Sequence, residues 1–309
     1  MSIIVLGTVA LDTVKTPFGK REHLLGGSAV HFAMSARLFT DVNLVAIIGE
    51  DFPYKYIDFL EKKGINLASL IRSPGKTFRW QGEYKGDLNT AFTISTELGV
   101  LPSFRPNISY GQRKIRHIFL ANIDPDLQAH LLGHMHSPEL VALDSMNYWI
   151  KHKRKSLLKL LKKVDIYVAN DQEARDLAQE ANLIKAAKAL CAFGVPMVII
   201  KKGEHGVLFY SNRFSANMPK QKGFIFSLPA YPAEKVIDPT GAGDTFAGGF
   251  MGYLSRQKLI NAASLKKALA YGTIAASFNI EDFGLNKTAR LKRMDLENRL
   301  RRFRKFVAF

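Results

Sequence analysis

Residues 236–250 read VIDPTGAGDTFAGGF and carry the strongest local signal in the chain. The apolar pair Val236 and Ile237 predicts the end of a strand, and Asp238–Thr240 predicts a turn. Gly241–Gly243 then opens a helix, and the first N–H groups of a helix have no partner within it. Small residues let this backbone approach an anion closely, and the helix N-terminus carries positive partial charge. The stretch therefore predicts a hole for the charge of a phosphoryl group.

Asp244 lies in the first turn of the same predicted helix. A carboxylate there can take the proton of an attacking hydroxyl while neighbouring N–H groups hold a phosphate. The structural alternative is that Asp244 only stabilises the helix start and that the glycines serve a tight turn. Two other glycine motifs are excluded by the residues present. A dinucleotide fingerprint from Gly241 needs glycine where Phe246 stands, and a P-loop from Gly243 lacks its lysine.

Short apolar runs alternate with segments of helical periodicity along most of the chain. This alternation predicts a parallel sheet with helices on both faces, a three-layer α/β/α core in a single domain of residues 1–309. The predicted strands are 3–6, 42–48, 117–120, 140–143, 166–169 and 195–200, and the predicted helices are 29–39, 54–63, 151–163, 171–180 and 183–193.

Two segments depart from this pattern, because apolar and polar residues alternate in them as in exposed antiparallel strands. One covers about residues 8–20, and the other runs from about 77 to 110 and includes Phe78, Arg79 and Trp80. We expect them to form a small β-sheet lid that stands off the core. Such a lid would exclude water from phosphoryl transfer. Phe78 and Trp80 would stack on a nucleobase, cover a sugar or pack within the lid.

The stretch from Asp238 to Met251 resembles the C-terminal signature of the PfkB carbohydrate kinases, the ribokinase-like family that includes ribokinase, fructokinase and adenosine kinase. Further segments resemble motifs of that family in their order and spacing, so the resemblance covers nearly the whole chain. They are Gly7 with Asp12, Gly26-Gly27-Ser28-Ala29, Ile48-Gly49-Glu50-Asp51 with Lys63-Gly64-Ile65, Asn170-Asp171-Gln172-Glu173 and Lys202-Gly203-Glu204-His205-Gly206.

The resemblance implies a ribokinase-like core with a β-sheet lid and an ATP-dependent transfer of phosphate to a hydroxyl of a small sugar. It implies that Asp244 is the catalytic base and that Gly241, Ala242 and Gly243 form the anion hole. ATP and Mg²⁺ are the implied cofactors, and activation by a monovalent cation is left open.

The resemblance also implies binding residues in three groups. In the substrate group, His31 stands where the family often has an asparagine that contacts the sugar, so it is either a substrate contact or a satisfied helix residue. The implied residues are Asp12, Gly26, Gly27 and His31 for substrate, Lys202, Gly203 and Gly206 for nucleotide, and Asn170 and Glu173 for magnesium, which Glu173 would reach through water.

Two other functions are carried forward as alternatives. Within the same class, the substrate would be a nucleoside such as adenosine instead of a free sugar. From a different class, the chain would be a non-catalytic sugar- or nucleotide-binding regulator with a basic C-terminal arm. The presence of Asp244 argues against the regulator, because binding alone needs no base there. A homodimer through the lid is a further expectation.

The net charge is +17, and residues 290–309 contain eight basic residues against two acidic ones. Apolar residues recur among them at helical spacing, which predicts an amphipathic helix that closes the fold. The alternative is an arm that binds nucleic acid. The chain contains no zinc-finger, RRM or KH signature, so a nucleic-acid partner is not expected.

Location and other sites are also constrained by the sequence. The chain has no run of 18 apolar residues and no signal-peptide pattern at its start, and its single cysteine, Cys191, is predicted to be an inert core residue. These features predict a cytoplasmic protein without a membrane partner. His130, His134 and His136 suggest a metal site, but their spacing matches no established zinc motif.

Overall fold

The computed structural model describes residues 1–86, 88–214 and 223–308. The strands are β1 Ser2–Leu6, β2 Ala10–Thr16, β3 Gly19–Gly26, β4 Asp41–Gly49, β5 Ile65–Ser73, β6 Arg79–Tyr84, β7 Ala91–Glu97, β8 His117–Leu120, β9 Leu140–Asp144, β10 Ile166–Asn170, β11 Met197–Lys201, β12 Val207–Ser211 and β13 Phe224–Leu228. The α-helices are α1 Ser28–Ala36, α2 Tyr54–Lys62, α3 Tyr110–Arg113, α4 Pro125–Gly133, α5 Asn147–His152, α6 Arg154–Leu161, α7 Asp171–Ala178, α8 Leu183–Ala192, α9 Ala242–Leu254, α10 Ala262–Asn279 and α11 Arg293–Val307.

Nine strands form the main sheet, in the order β13-β12-β11-β10-β9-β8-β1-β4-β5. In this order, the seven strands that run from β11 across the sheet to β5 are each parallel to their neighbours. The two remaining strands, β12 and β13, pair antiparallel and extend one edge. A parallel sheet needs a crossover between successive strands, and helices supply most of these crossovers here.

The two faces of this sheet carry separate hydrophobic cores, as the strand alternation of β1 shows. Ile3 and Val5 pack into a core that includes residues of α1, α9, α10 and α11. Ile4 and Leu6 pack into a second core that includes residues of α4, α6, α7 and α8. Successive side chains of a strand point to opposite faces, so a buried strand covered by helices on both sides is apolar throughout. The predicted three-layer α/β/α core is confirmed.

The other sheet has four strands, in the order β3-β2-β6-β7. β2 pairs with β6 in parallel, and the two outer pairs are antiparallel. It comprises residues 10–26 and 79–97. The first segment therefore extends to residue 26, beyond its predicted end at residue 20. The alternation of apolar and polar residues did not reveal this extension, because β3 exposes a run of charged residues. The chain after residue 97 returns to the main body, where Val100, Phe104 and Ile108 are buried in the second core.

Two local predictions are wrong. The segment before Asp238 is not a strand: the N–H of Ile237 donates instead to the carbonyl of Ile280, just past α10 (2.7 Å). The helix predicted over 151–163 is divided into α5 and α6 at Lys153, whose φ is −130°. The ammonium of Lys153 binds the carboxylates of Asp124 and Asp126 (2.7 and 2.5 Å), and this tertiary contact has no periodic signature in the sequence.

The predicted C-terminal amphipathic helix is confirmed as α11, which buries Leu296, Leu300 and Phe303 against the first core. Cys191 is buried in the second core, and burial raises the pKa of its thiol to about 12. Within the described ranges, no helix is both long enough and apolar enough to cross a membrane.

Candidate active site

Three polar side chains lie at the carboxyl ends of three adjacent parallel strands. Asp144, Asn170 and Lys201 are the last residues of β9, β10 and β11, and Asn170 is paired in register with Lys201. Alternate residues of β11, Met197 and Ile199, face the core that contains α9. Lys201 continues this alternation, so its side chain lies on the face of the sheet that α9 covers. Ligands bind at this edge of open parallel sheets.

The start of α9 presents free backbone donors to the same edge. Gly241 precedes the helix with φ +72°, which favours glycine, and α9 begins at Ala242. The N–H of Thr245 donates to the carbonyl of Gly241 (2.8 Å). In the described part of the chain, no backbone carbonyl accepts from the N–H groups of Gly243 or Asp244. These two donors can therefore bind an anion.

A buried network of hydrogen bonds supports the turn that precedes α9. A Cβ atom on Gly241 would overlap the imidazole ring of His31, so the ring packs directly against the backbone. The amide nitrogen of Asn279 donates to the carbonyl of Thr240 (2.8 Å). The side-chain oxygen of Asn279, Oδ1, then lies within hydrogen-bond distance of Thr245 Oγ1 (2.9 Å) and His31 Nδ1 (3.2 Å). Because that oxygen can only accept, His31 carries its proton on Nδ1. Burial lowers the pKa of His31 and favours this neutral form.

Four ionisable side chains meet in front of the turn. Lys201 Nζ donates to Asp144 Oδ2 (3.0 Å), and both side chains are largely buried. Burial raises the pKa of Asp244 to about 8, with the charge of Asp144 the next cause and Lys201 opposing the rise. Burial and Asp144 likewise raise the pKa of Glu173 to about 8. The site thus places three carboxyl groups around one lysine.

Asn170 and Glu173 form a reciprocal cap at the start of α7. The N–H of Glu173 donates to Asn170 Oδ1, and the N–H of Asn170 donates to Glu173 Oε2, both at 2.7 Å. This cap fixes the Glu173 carboxylate near Asp144. Crowded carboxylates with raised pKa values suit a divalent cation, which prefers oxygen ligands. In the described residues no three His, Cys, Asp or Glu side chains group closely enough to hold a metal.

The predicted substrate residues divide between the two sides of the cleft, the region between the small sheet and the start of α9. Asp12, Gly26 and Gly27 lie on the side of the small sheet, whereas His31 packs against Gly241. Asp12 belongs to β2 of the small sheet and is 5% exposed. A Cβ atom on Gly26 would overlap its carboxylate, and one on Gly27 would overlap the carbonyl of Thr8. Burial raises the pKa of Asp12 to about 7, a backbone hydrogen bond from Gly27 opposes this, and Asp238 adds to it.

The predicted nucleotide residues form a turn after β11. The N–H of Lys202 donates to the carbonyl of Gly206 (2.7 Å) and closes the turn. Asn89, between the lid strands β6 and β7, donates to Glu204 Oε1 (2.8 Å), and a Cβ atom on Gly203 would lie 2.8 Å from Asn89 Oδ1. The small sheet therefore spans the cleft and contacts this turn. The nucleotide role of Lys202, Gly203 and Gly206 stays a prediction.

Four residues of the site were given no role by sequence reasoning: Lys201, Asp144, Asn279 and Tyr84. The position of Asp144 at a strand end was a usable signal. The phenol of Tyr84 on β6 accepts from Thr240 Oγ1 (3.4 Å), and burial raises its pKa well above the usual range. No local pattern identifies Asn279 or Tyr84, because each meets the turn only through the tertiary fold.

Comparison with known proteins agrees with this geometry. Residues 134–291 match the profile of the pfkB family carbohydrate kinase. The chain is 32% identical to a cytidine kinase of Thermococcus kodakarensis over 263 residues, which are 83% of this chain and 89% of that one. The chain belongs to the PfkB family of carbohydrate kinases. The resemblance inferred from the motifs is thereby confirmed.

Solved structures of the ribokinase fold superpose on almost the whole PfkB-family chain. The nucleoside kinase of Methanocaldococcus jannaschii gives a TM-score of 0.76 at 20% identity and covers 97% of this chain and 98% of its own. A putative ribokinase II of E. coli in complex with ATP and Mg²⁺ gives 0.78 at 18% identity, with 97% and 99% covered. These likenesses confirm the predicted ribokinase-like fold with its second, small sheet.

Proposed function

We propose that this PfkB-family kinase transfers the γ-phosphate of ATP to a hydroxyl of a nucleoside, with Asp244 as the catalytic base. The observation that carries the proposal is the start of α9, where the Asp244 carboxylate adjoins two backbone N–H groups without a backbone acceptor. The cytidine kinase relative, which aligns over most of both chains, favours a nucleoside over a free sugar.

The chemistry is a direct in-line displacement. The substrate hydroxyl attacks the γ-phosphorus, a new oxygen–phosphorus bond forms, and the bond to the β–γ bridging oxygen breaks with its electron pair leaving on ADP. Asp244 accepts the hydroxyl proton. The N–H groups of Gly243 and Asp244 stabilise the negative charge on the transferring group. Asp12 would accept hydrogen bonds from substrate hydroxyls, which suits a carboxylate.

Magnesium, when bound, would neutralise charge on the phosphate oxygens. Glu173 is the residue best placed to hold its water shell, since Asn170 fixes the carboxylate and Asp144 lies nearby. Bound magnesium would lower the raised pKa values of Glu173 and Asp244, because a nearby positive charge favours the ionised carboxylates, and the phosphates of ATP would oppose this. Asp244 acts as the base in its ionised form.

The second candidate substrate is a free sugar, which fits the same base and anion hole. We would measure ADP release from magnesium-ATP against a panel of nucleosides and sugars, with wild type, Asp244→Asn and Asp41→Asn. Asp41 is an exposed acid at the start of β4, away from the carboxyl ends of the strands. We expect stimulation by a nucleoside and a loss of about 100-fold or more in Asp244→Asn alone, the scale of a general base.

Other outcomes have defined meanings. Stimulation only by sugars would replace the nucleoside with a sugar. Binding of ATP without turnover across the panel would support the non-catalytic regulator instead.

We also propose a homodimer through the lid. Every residue of the edge strand β7 is exposed, including Phe92 (53%) and Ile94 (54%). An open edge with apolar side chains suits pairing with a second copy. Light scattering should give the mass of two chains for wild type and of one for Ile94→Lys, and a monomeric wild type would refute this assembly. The cytoplasmic location stays a prediction.

A further inference from the structure

Lys201 is the last residue of β11 and Lys202 is the first residue of the turn that follows. The two lysines have different surroundings. Lys201 is the last residue of the strand, on the face covered by α9, and 18% of its side chain is exposed. Its Nζ reaches the start of that helix, since a Cβ atom built on Gly243 would lie 2.8 Å from it. Lys202 follows outside the strand, where its backbone closes the turn to Gly206. Lys201 is thus the lysine at the anion hole.

The charge of Lys201 is maintained by the site. Burial alone would lower the pKa of its ammonium, but Asp144, Glu173 and Asp244 together raise it. The ammonium therefore stays protonated although it is largely buried. Its hydrogen bond to Asp144 Oδ2, at 3.0 Å, holds it beside the free N–H groups of the helix.

A purely structural role is the competing explanation, in which Lys201 only neutralises buried Asp144. That role requires contact with Asp144 and nothing else. The observed position goes further, because the ammonium also lies against Gly243, where glycine leaves open the space that a side chain would fill. The ammonium of Lys201 therefore lies beside Gly243, whose N–H group and that of Asp244 have no backbone acceptor in the described chain.

We propose that Lys201 is a catalytic residue that binds the transferring phosphoryl group beside Gly243, and that Asp144 positions its ammonium for this contact. The proposal rests on the phosphotransfer proposed above. Lysine binds phosphate as a point charge, and charge placed where negative charge develops stabilises the transition state. The atoms exchanged are those of the displacement already described, since Lys201 donates hydrogen bonds and keeps its protons.

The first test compares Lys201→Met, Lys201→Arg and the control Lys188→Met, at an exposed lysine of α8, in steady-state kinetics with magnesium-ATP and the preferred acceptor. We expect Lys201→Met to lower kcat about 100-fold, the scale of losing one oxyanion donor, with the acceptor KM within about threefold. Lys201→Arg should recover roughly tenfold of that loss by restoring the charge. Lys188→Met should stay within about threefold of wild type. A Lys201→Met enzyme as active as Lys188→Met would overturn the proposal.

The second test separates catalysis from neutralisation of Asp144. Asp144→Asn removes the charge that Lys201 would neutralise, so a purely structural lysine becomes dispensable in that background. We expect Lys201→Met/Asp144→Asn to remain about tenfold or more below Asp144→Asn in kcat. Equal rates for these two variants would show that Lys201 is only a counter-ion.

The third test does not depend on turnover. Calorimetric titration with magnesium-ATP and with adenosine should show that Lys201→Met weakens ATP binding about tenfold and leaves adenosine binding unchanged, as loss of a phosphate contact requires. Unchanged ATP binding together with unchanged kcat would refute the lysine's role even where wild type is active. An inactive wild type that still shows the ATP-specific loss would refute the proposed reaction and retain Lys201 as a phosphate-binding residue.

Discussion

The two helices that border the cleft, α1 and α9, begin alike and are anchored differently. Each is preceded by a glycine with positive φ, Gly27 at +96° and Gly241 at +72°, and neither start has a side-chain cap. Gly27 packs against the backbone of Thr8, which leads into the small sheet. Gly241 packs against His31, a buried residue of α1.

This difference separates binding from chemistry. Asp12, the predicted substrate carboxylate, is carried by the sheet that spans the cleft, whereas Asp244 is carried by a core helix. The base thus keeps its place through core packing, and the substrate contact depends on the lid sheet. Changes on the core side should act on kcat, and changes on the lid side should act mainly on KM.

The largest effect is expected from Gly241→Ala. The substitution combines a positive φ with overlap of the new Cβ and the His31 ring, so the anion hole must shift. We expect kcat to fall about 100-fold, as a displacement near 1 Å can cause, together with a lower melting temperature. Gly64→Ala is the control, because its φ is +76° and no heavy atom lies within 4 Å of the added Cβ. If both variants lose kcat equally, backbone strain and not the His31 contact explains the effect.

The next effect is expected from Asp12→Asn. The change removes the charge that substrate hydroxyls would hydrogen-bond and leaves the core helix untouched. We expect the acceptor KM to rise roughly 10- to 100-fold, the scale of a hydrogen bond to a charged group, with kcat changed about threefold or less. Initial-rate kinetics at saturating ATP measures both. A loss confined to kcat would place Asp12 with the chemistry and remove the distinction between the two sides.

A smaller effect concerns stability and pH. The pKa values of Asp12, Glu173 and Asp244 are raised to about 7, 8 and 8 in the folded protein. The folded state therefore binds more protons than the unfolded state between about pH 4 and 8. This contribution to the free energy of unfolding is complete at acid pH and is lost as pH rises to about 8. Asp244→Asn should flatten that dependence without magnesium and raise the melting temperature at pH 8 by about 2 °C or more.

Thermal denaturation in chelator from pH 5 to 8.5 checks this effect. Glu97→Gln on the exposed lid strand serves as the control and should leave the slope unchanged. An Asp244→Asn profile parallel to that of wild type would mean that the Asp244 carboxyl is ionised in the folded protein throughout this range.

The smallest effect is expected from Asn89→Ala, which removes the contact between the lid and Glu204. We expect the KM for ATP to rise about two- to fivefold, as for one exposed hydrogen bond, with kcat nearly unchanged. Asn298→Ala on α11, whose side chain accepts from Arg301, is a matched control far along the chain. Equal KM values in the two variants would show that this contact does not assist nucleotide binding.

The fold and the place of Asp244 at a helix start could be read from local pattern. The strand runs and the stretch 236–250 are short-range signals, because alternation, helix periodicity and glycine placement act over a few residues. The error at Ile237 has the same origin, since an apolar pair before a turn looks the same whether it joins a sheet or binds the end of α10. The break at Lys153 was equally hidden, because Lys153 binds Asp124 and Asp126 at the start of α4, a contact that leaves no local pattern in the sequence.

By itself, the sequence determined the α/β/α order of elements, the PfkB motifs and the presence of Asp244 at a helix start. Only the tertiary structure decided that Lys201 lies beside Gly243 at the start of α9, that it is hydrogen-bonded to Asp144, and that His31 packs against Gly241 and shares Asn279 with Thr245. The physical reason is that charge and packing act through space. Residues far apart in the chain become neighbours only when parallel strands end at one edge and a helix closes over them.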